Sequence, residues 1–268
     1  MRKAILLVAY GAGGMQSRRA LGRFEGRVRE RFPGHAVRWA YSSLLLRERL
    51  ARARQKSDSV FKALRRLCFE KYEAVAVQPL QTIPGREHGE VRDAVLSVGR
   101  EMCVPVSIGA PLLSDAGDVA RAASALLAGL PAERQVDEDV VFMGHGAKHA
   151  ACGRYDDLAR AVHGQDDRVH VGTMNGATQL ADILPALRSK RVWLLPLLST
   201  IGRHALADMA GRAPTSWLSR IEGAGHECRP VLKGTAEYDG IAEIWLEHLA
   251  LAAEAISAAK GAPAGQGS

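Results

Sequence analysis

Four residues that could share a site are scattered through this chain: Glu87, His145, Asn175 and His204. His145 stands inside Val140-Val141-Phe142-Met143-Gly144-His145-Gly146-Ala147-Lys148-His149, an apolar run broken by a glycine on either side of the histidine. That pattern predicts a buried strand ending in a tight turn, with the imidazole held at the carboxyl edge of a sheet. Ligands of open α/β sheets bind outside the carboxyl ends of the strands. A neutral imidazole there can ligate a metal or accept a proton near pH 7, although it can equally do no more than hydrogen-bond its own turn. Asn175, in Met174-Asn175-Gly176, and His204, after Ser199-Thr200-Ile201-Gly202, also follow strand-like runs, and Glu87 follows one in the first half. Two histidines, a carboxylate and an amide can hold a divalent cation with open positions. The spacing forms no local motif, so a fold must bring them together. His149 is a further candidate ligand, and its alternative reading is a surface helix residue. Glu87 with His88 and Glu90 also fits a solvated first helical turn, where acids are favoured.

The elements that must position these groups alternate. Ala4 to Ala9 is a continuous apolar run, as in a strand covered on both faces, and it ends at Tyr10-Gly11-Ala12-Gly13-Gly14. A dinucleotide fingerprint starting at Gly11 would need glycine where Gln16 stands, and no G-K-[ST] follows, so neither phosphate loop is present. These glycines instead turn the chain or let backbone approach a ligand. Helical periodicity covers Gln16 to Phe32, Leu44 to Arg54, Val60 to Glu70, a segment from Gly85, and Ser114 to Leu130; strands are expected at 35–41, 74–77 and 104–108. A polar stretch at 131–135 reads as a linker. The plan then repeats, with strands at 140–143, 169–173, 192–197 and 228–232. Helices are expected at 150–162, 179–189, 204–209, 217–222 and 240–259. In the 204–209 segment His204 and Asp208 share one face. The alternation predicts an α/β protein of parallel sheets flanked by helices. It has two similar lobes, 1–130 and 137–260, with a cleft between them, and 261–268 reads as a disordered tail.

Composition limits the classes of function. The 268 residues carry 36 Lys and Arg against 29 Asp and Glu, a formal charge of +7 spread along the chain. This suits an acidic small molecule at least as well as nucleic acid, and no nucleic-acid motif is present. Cys68, Cys103, Cys152 and Cys228 form no C-x-x-C pair, which argues against a zinc knuckle or iron–sulfur site and fits a reduced cytoplasmic protein. No apolar run is long enough to cross a bilayer, and Met1 to Ala9 lacks a convincing cleavage site. Neither nucleic acid nor membrane is expected as a partner; homo-oligomerisation is left open.

Lys3–Gly11 (KAILLVAYG), Gln78–Glu87 (QPLQTIPGRE), Ala110–Ser114 (APLLS), Val140–His149 (VVFMGHGAKH) and His204–Ala210 (HALADMA) are spread over nearly the whole chain. In these stretches it resembles the anaerobic sirohydrochlorin cobaltochelatases of the class II, ATP-independent chelatases. The resemblance implies two Rossmann-like lobes around a tetrapyrrole cleft, and insertion of Co²⁺ into sirohydrochlorin for cobalamin biosynthesis. The divalent metal is then a substrate and no nucleotide is needed. His145 and His204 are implied as metal ligands and Glu87 as the facing carboxylate. The family often has glutamate at the position of Asn175, which cannot act as a base and ligates weakly. Either Glu87 is then the only nearby carboxylate, or the metal is held less tightly and passed on more easily. On this reading His145 and Glu87 are catalytic, and His145, His204 and Asn175 form the metal site. Tyr10, Gly11, Gly146 and Arg86 contact substrate, with Arg47, Arg49 and Arg86 as cations for its carboxylate rim. Two alternatives stand beside it: a ferrochelatase making sirohaem from the same ring, since imidazole suits both metals, and a non-catalytic tetrapyrrole- or metal-binding protein.

Overall fold

The two apolar runs that open each half form the centres of two sheets. In the computed structural model, which describes residues 2–11, 14–55, 57–147 and 153–261, Lys3–Ala9 is strand β1 and Asp139–Gly144 is strand β5. Both are buried along nearly their whole length because strands pair on either side and helices cover both faces. β1 is flanked in parallel by β2 (Ala36–Tyr41) and β3 (Ala74–Pro79), and β4 (Val106–Ile108) completes the order β2-β1-β3-β4. β5 is flanked in parallel by β6 (Val169–Thr173) and β7 (Arg191–Leu197), and β8 (Glu227–Pro230) completes β6-β5-β7-β8. The same order in both sheets is the internal repeat that the sequence suggested, and the α/β class with two parallel sheets is as expected.

Helices α1 (Met15–Arg31), α2 (Leu44–Arg52), α3 (Val60–Phe69) and α4 (Arg86–Met102) belong to the first half. Then come α5 (Ala116–Ala128), α6 (Gly153–His163), a single turn α7 (Leu180–Ile183), α8 (Trp217–Gly223) and α9 (Asp239–Gly261). The last helix of each half crosses to the other. α5 packs on α6 and α9, while α9 packs on β3 and β4. The Ser107 hydroxyl donates to the Ala252 carbonyl at 2.6 Å along that seam. One apolar core consequently runs through both halves, from Leu7 and Phe24 to Phe142 and Trp245. Phe24 meets Trp245 edge to face at 6.0 Å, a geometry aromatic pairs favour.

Two expected helices differ. The segment 179–189 is not one α-helix: α7 stops at Ile183 and a 3₁₀ turn spans Leu184–Ala186. Pro185 has no N–H to continue the ladder. The amides of Arg188 and Ser189 instead donate to the buried Asp139 carboxylate, each at 2.6 Å. The segment His204–Met209 is a π-turn, closed by Ala210 N–H donating to Ala205 C=O at 3.1 Å, five residues back. Such turns recur at functional sites. No described helix is long and apolar enough to cross a membrane. His149, Cys152 and residues 262–268, which hold all but the first residue of the expected tail, lie outside the described residues.

Candidate metal and macrocycle site

Glycines fix His145. Gly144 ends β5 under Tyr155, where a Cβ would come within 2.8 Å of the ring. Gly146 has φ +78°, a left-handed conformation that costs side-chain-bearing residues energy, and a Cβ there would lie 2.8 Å from the Asn175 backbone and from Thr173 Cβ. The backbone at His145 is locked to the neighbouring loop by Asn175 N–H donating to His145 C=O at 3.1 Å and Met174 N–H to Gly144 C=O at 3.0 Å. The imidazole itself is exposed, and its Nδ1 is 3.2 Å from the Gly146 carbonyl.

His204 reaches the same place from the π-turn after β7. The two imidazole centroids are 5.0 Å apart with planes at 73°. His204 Nδ1 is 2.7 Å from Asp208 Oδ2, so the pairing on one helical face is realised. For each ring an oxygen acceptor at Nδ1 favours the tautomer with the proton there and the Nε2 lone pair free. Metal-ligating histidines usually have this arrangement, with the second ring nitrogen donating to a carboxylate or carbonyl.

Glu87 lies in the first turn of α4. Its pKa is raised, chiefly by partial desolvation; the neighbouring His145 lowers it, Glu90 raises it, and Arg86 and His204 lower it. The carboxylate therefore senses both histidines across the space between the sheets. His88, beside it, is held below its usual pKa by burial and by Arg92.

The loop from β7 to His204 is tied to the turn after β1. The Thr200 hydroxyl donates to Gly11 C=O at 3.1 Å, and the Ser17 hydroxyl donates to Ile201 C=O at 2.6 Å. Gly11 needs its missing side chain, since a Cβ would fall 1.5 Å from Leu46 Cδ2. Tyr10 is 47% exposed beside it. The side chain of Asn175 is exposed, and its recorded link to the site is the backbone bond to His145. Arg86 is 83% exposed and 3.5 Å from Glu90. Among the described residues no group of three or more His, Cys, Asp or Glu side chains closes on a metal position. The structure thus brings His145 and His204 together, sets Glu87 within electrostatic reach of both, and among the described residues shows no hydrogen bond from the side chains of Asn175 or Arg86 to either histidine. Sequence reasoning did not find Thr200, whose hydroxyl bridges the two halves; a threonine in a loop carries no signal of a partner so distant in sequence.

Two parallel sheets sharing a core, with an imidazole pair at the carboxyl edge of the second, define a two-lobed chelatase fold. The chain superposes on SirB from Bacillus subtilis with Fe³⁺ at a TM-score of 0.66 and 14% identity, covering 96% of this chain and 98% of that one. Residues 3–254 match the family described as Cobalt chelatase (CbiK), and the chain belongs to that family. It is 52% identical to the sirohydrochlorin cobaltochelatase CbiKC of Nitratidesulfovibrio vulgaris strain Hildenborough, over 95% of this chain and 92% of the relative. It is 30% identical to the sirohydrochlorin cobaltochelatase of Salmonella typhimurium strain LT2, over 93% of this chain and 96% of that protein.

Proposed function

We propose that the protein catalyses ATP-independent insertion of Co²⁺ into sirohydrochlorin, with the ion and the ring both as substrates. The observation that carries this reading is the pair of facing imidazoles, each with an oxygen acceptor at Nδ1 and Nε2 free, in a chain of the cobalt chelatase family. Insertion replaces two pyrrole N–H protons by one divalent cation, so the site must hold the metal, remove its water and accept two protons. His145 and His204 would hold the ion, and His145 would also accept a proton as the metal leaves it for the ring. Glu87, whose raised pKa makes it a better proton acceptor than an ordinary carboxylate, would take the other.

Asn175 completes the metal site as a weak, neutral oxygen ligand. Tyr10, Gly11 and Gly146 would border the ring, the glycines by allowing close backbone approach, and Arg86 would meet a carboxylate of its rim. The lobes are taken as 1–130 and 137–260, exchanging α5 and α9. No nucleotide takes part, and the reaction belongs to a reduced cytoplasm. Imidazole ligands suit Fe²⁺ as well as Co²⁺, so a ferrochelatase reaction on the same site is the second reading. His145→Ala should remove most insertion activity while circular dichroism and the melting transition stay close to the parent's. Near-normal insertion by that variant would refute the assignment of His145.

A further inference from the structure

The helix α2 exposes two of its four leucines. Leu50 is its buried residue, whereas Leu44 is 59% and Leu45 75% exposed. It begins at the candidate site: Ser43 N–H donates to Tyr10 C=O at 3.2 Å, and Leu46 fills the space above Gly11. Gly11 in turn receives Thr200 from the loop that leads to His204. Leu44, Leu45 and the half-exposed Tyr10 are thus exposed apolar side chains at the turn that is bonded to the loop leading to His204, and exposed apolar clusters of this kind mark contact sites.

The charge on α2 is also uncompensated. Arg23, Arg27, Arg29 and Arg31 of α1 each pair with a carboxylate. Among the described residues Arg47 and Arg49 have no such partner, and α2 holds three arginines against one glutamate. Leu45 and Arg49 are one turn apart on one exposed face. An apolar turn followed by a free cation matches a flat ring with carboxylates on its rim.

We propose that α2 receives the macrocycle, Leu44 and Leu45 lying against the ring with Tyr10, and Arg49 pairing with a peripheral carboxylate. This rests on the chelatase reading above. The test is the affinity for metal-free sirohydrochlorin, from quenching of its fluorescence, together with the steady-state KM values for ring and Co²⁺. The L44S/L45S double variant should weaken ring binding and raise its KM at least about tenfold, from lost apolar burial, while the KM for Co²⁺ stays within about twofold. R49Q should weaken ring binding several-fold and flatten its salt dependence. Leu251→Ser, at an exposed leucine of α9, is the control and should change nothing.

A ring affinity within about twofold of the parent's in both α2 variants overturns the proposal. A shift in oligomeric state with unchanged ring affinity also overturns it, and assigns the patch to a second copy. A parent that binds the ring without accelerating insertion defeats the chelatase reading alone, and the α2 variants then still decide this one. A parent that does not bind the ring defeats both.

Discussion

Asp208 should control how well His204 holds the metal. Its carboxylate accepts from His204 Nδ1 at 2.7 Å, with the two side chains 42% and 39% exposed respectively. Removing such an orienting partner typically costs 10- to 100-fold in metal affinity or activity, about 1.4–2.7 kcal/mol. The pair is open to water, which screens its charge, so Asp208→Ala should fall near the lower end, about tenfold in Co²⁺ affinity. Asp208→Asn keeps an acceptor oxygen but loses the charge, and should cost about threefold, in line with the greater strength of charge-assisted bonds. Titration with Co²⁺ against a competing chelator measures the affinity, and kcat/KM for Co²⁺ in the insertion assay measures the consequence. In a His204→Ala background the Asp208→Ala effect should vanish, because its only route is through the imidazole. An Asp208→Ala variant within about twofold of the parent, or one whose effect persists without His204, would refute the reasoning.

Two further outcomes follow from the local geometry. Gly146→Ala forces a side chain into a left-handed conformation, about 1–2 kcal/mol. It also sets a Cβ 2.8 Å from the Asn175 backbone, about 1–3 kcal/mol more. Differential scanning calorimetry should show a drop of roughly 10 °C, and an unchanged melt would contradict the strained turn. Glu87 has a folded pKa above its unfolded value. Its contribution to stability is thus fully present below the unfolded value of about 4.3 and is lost as pH rises through the folded one. Glu87→Gln should raise the melting temperature over the parent at neutral pH, make no difference at about pH 4, and slow insertion. A lower melting temperature at neutral pH would contradict the direction of that shift.

Much of this was legible in the chain for identifiable reasons. β1 and β5 were visible as unbroken apolar runs ending in glycine because strands covered on both faces carry no polar alternation. The His204–Asp208 contact was visible because it is local. Helical periodicity shows that a helix has a buried face but not which sheet covers it, so the exchange of α5 and α9 was not visible. For the same reason α2, with leucines at its start, gave no sign that Leu44 and Leu45 face outward. The π-turn at His204 and the broken helix after Ile183 depend on which carbonyls and carboxylates compete for backbone amides, as Asp139 does for Arg188 and Ser189. The approach of His145 to His204 was set by two strands paired side by side, a relation no spacing reveals; the family resemblance supplied the expectation and the 5.0 Å ring separation matches it.

The most direct test of the central claim follows the absorption spectrum of sirohydrochlorin with Co²⁺ and a catalytic amount of the purified protein, run beside a protein-free control and repeated with Fe²⁺. Conversion to the metallated spectrum should run well above the uncatalysed rate with Co²⁺, with no nucleotide added. Rates equal to the control with both metals would contradict it.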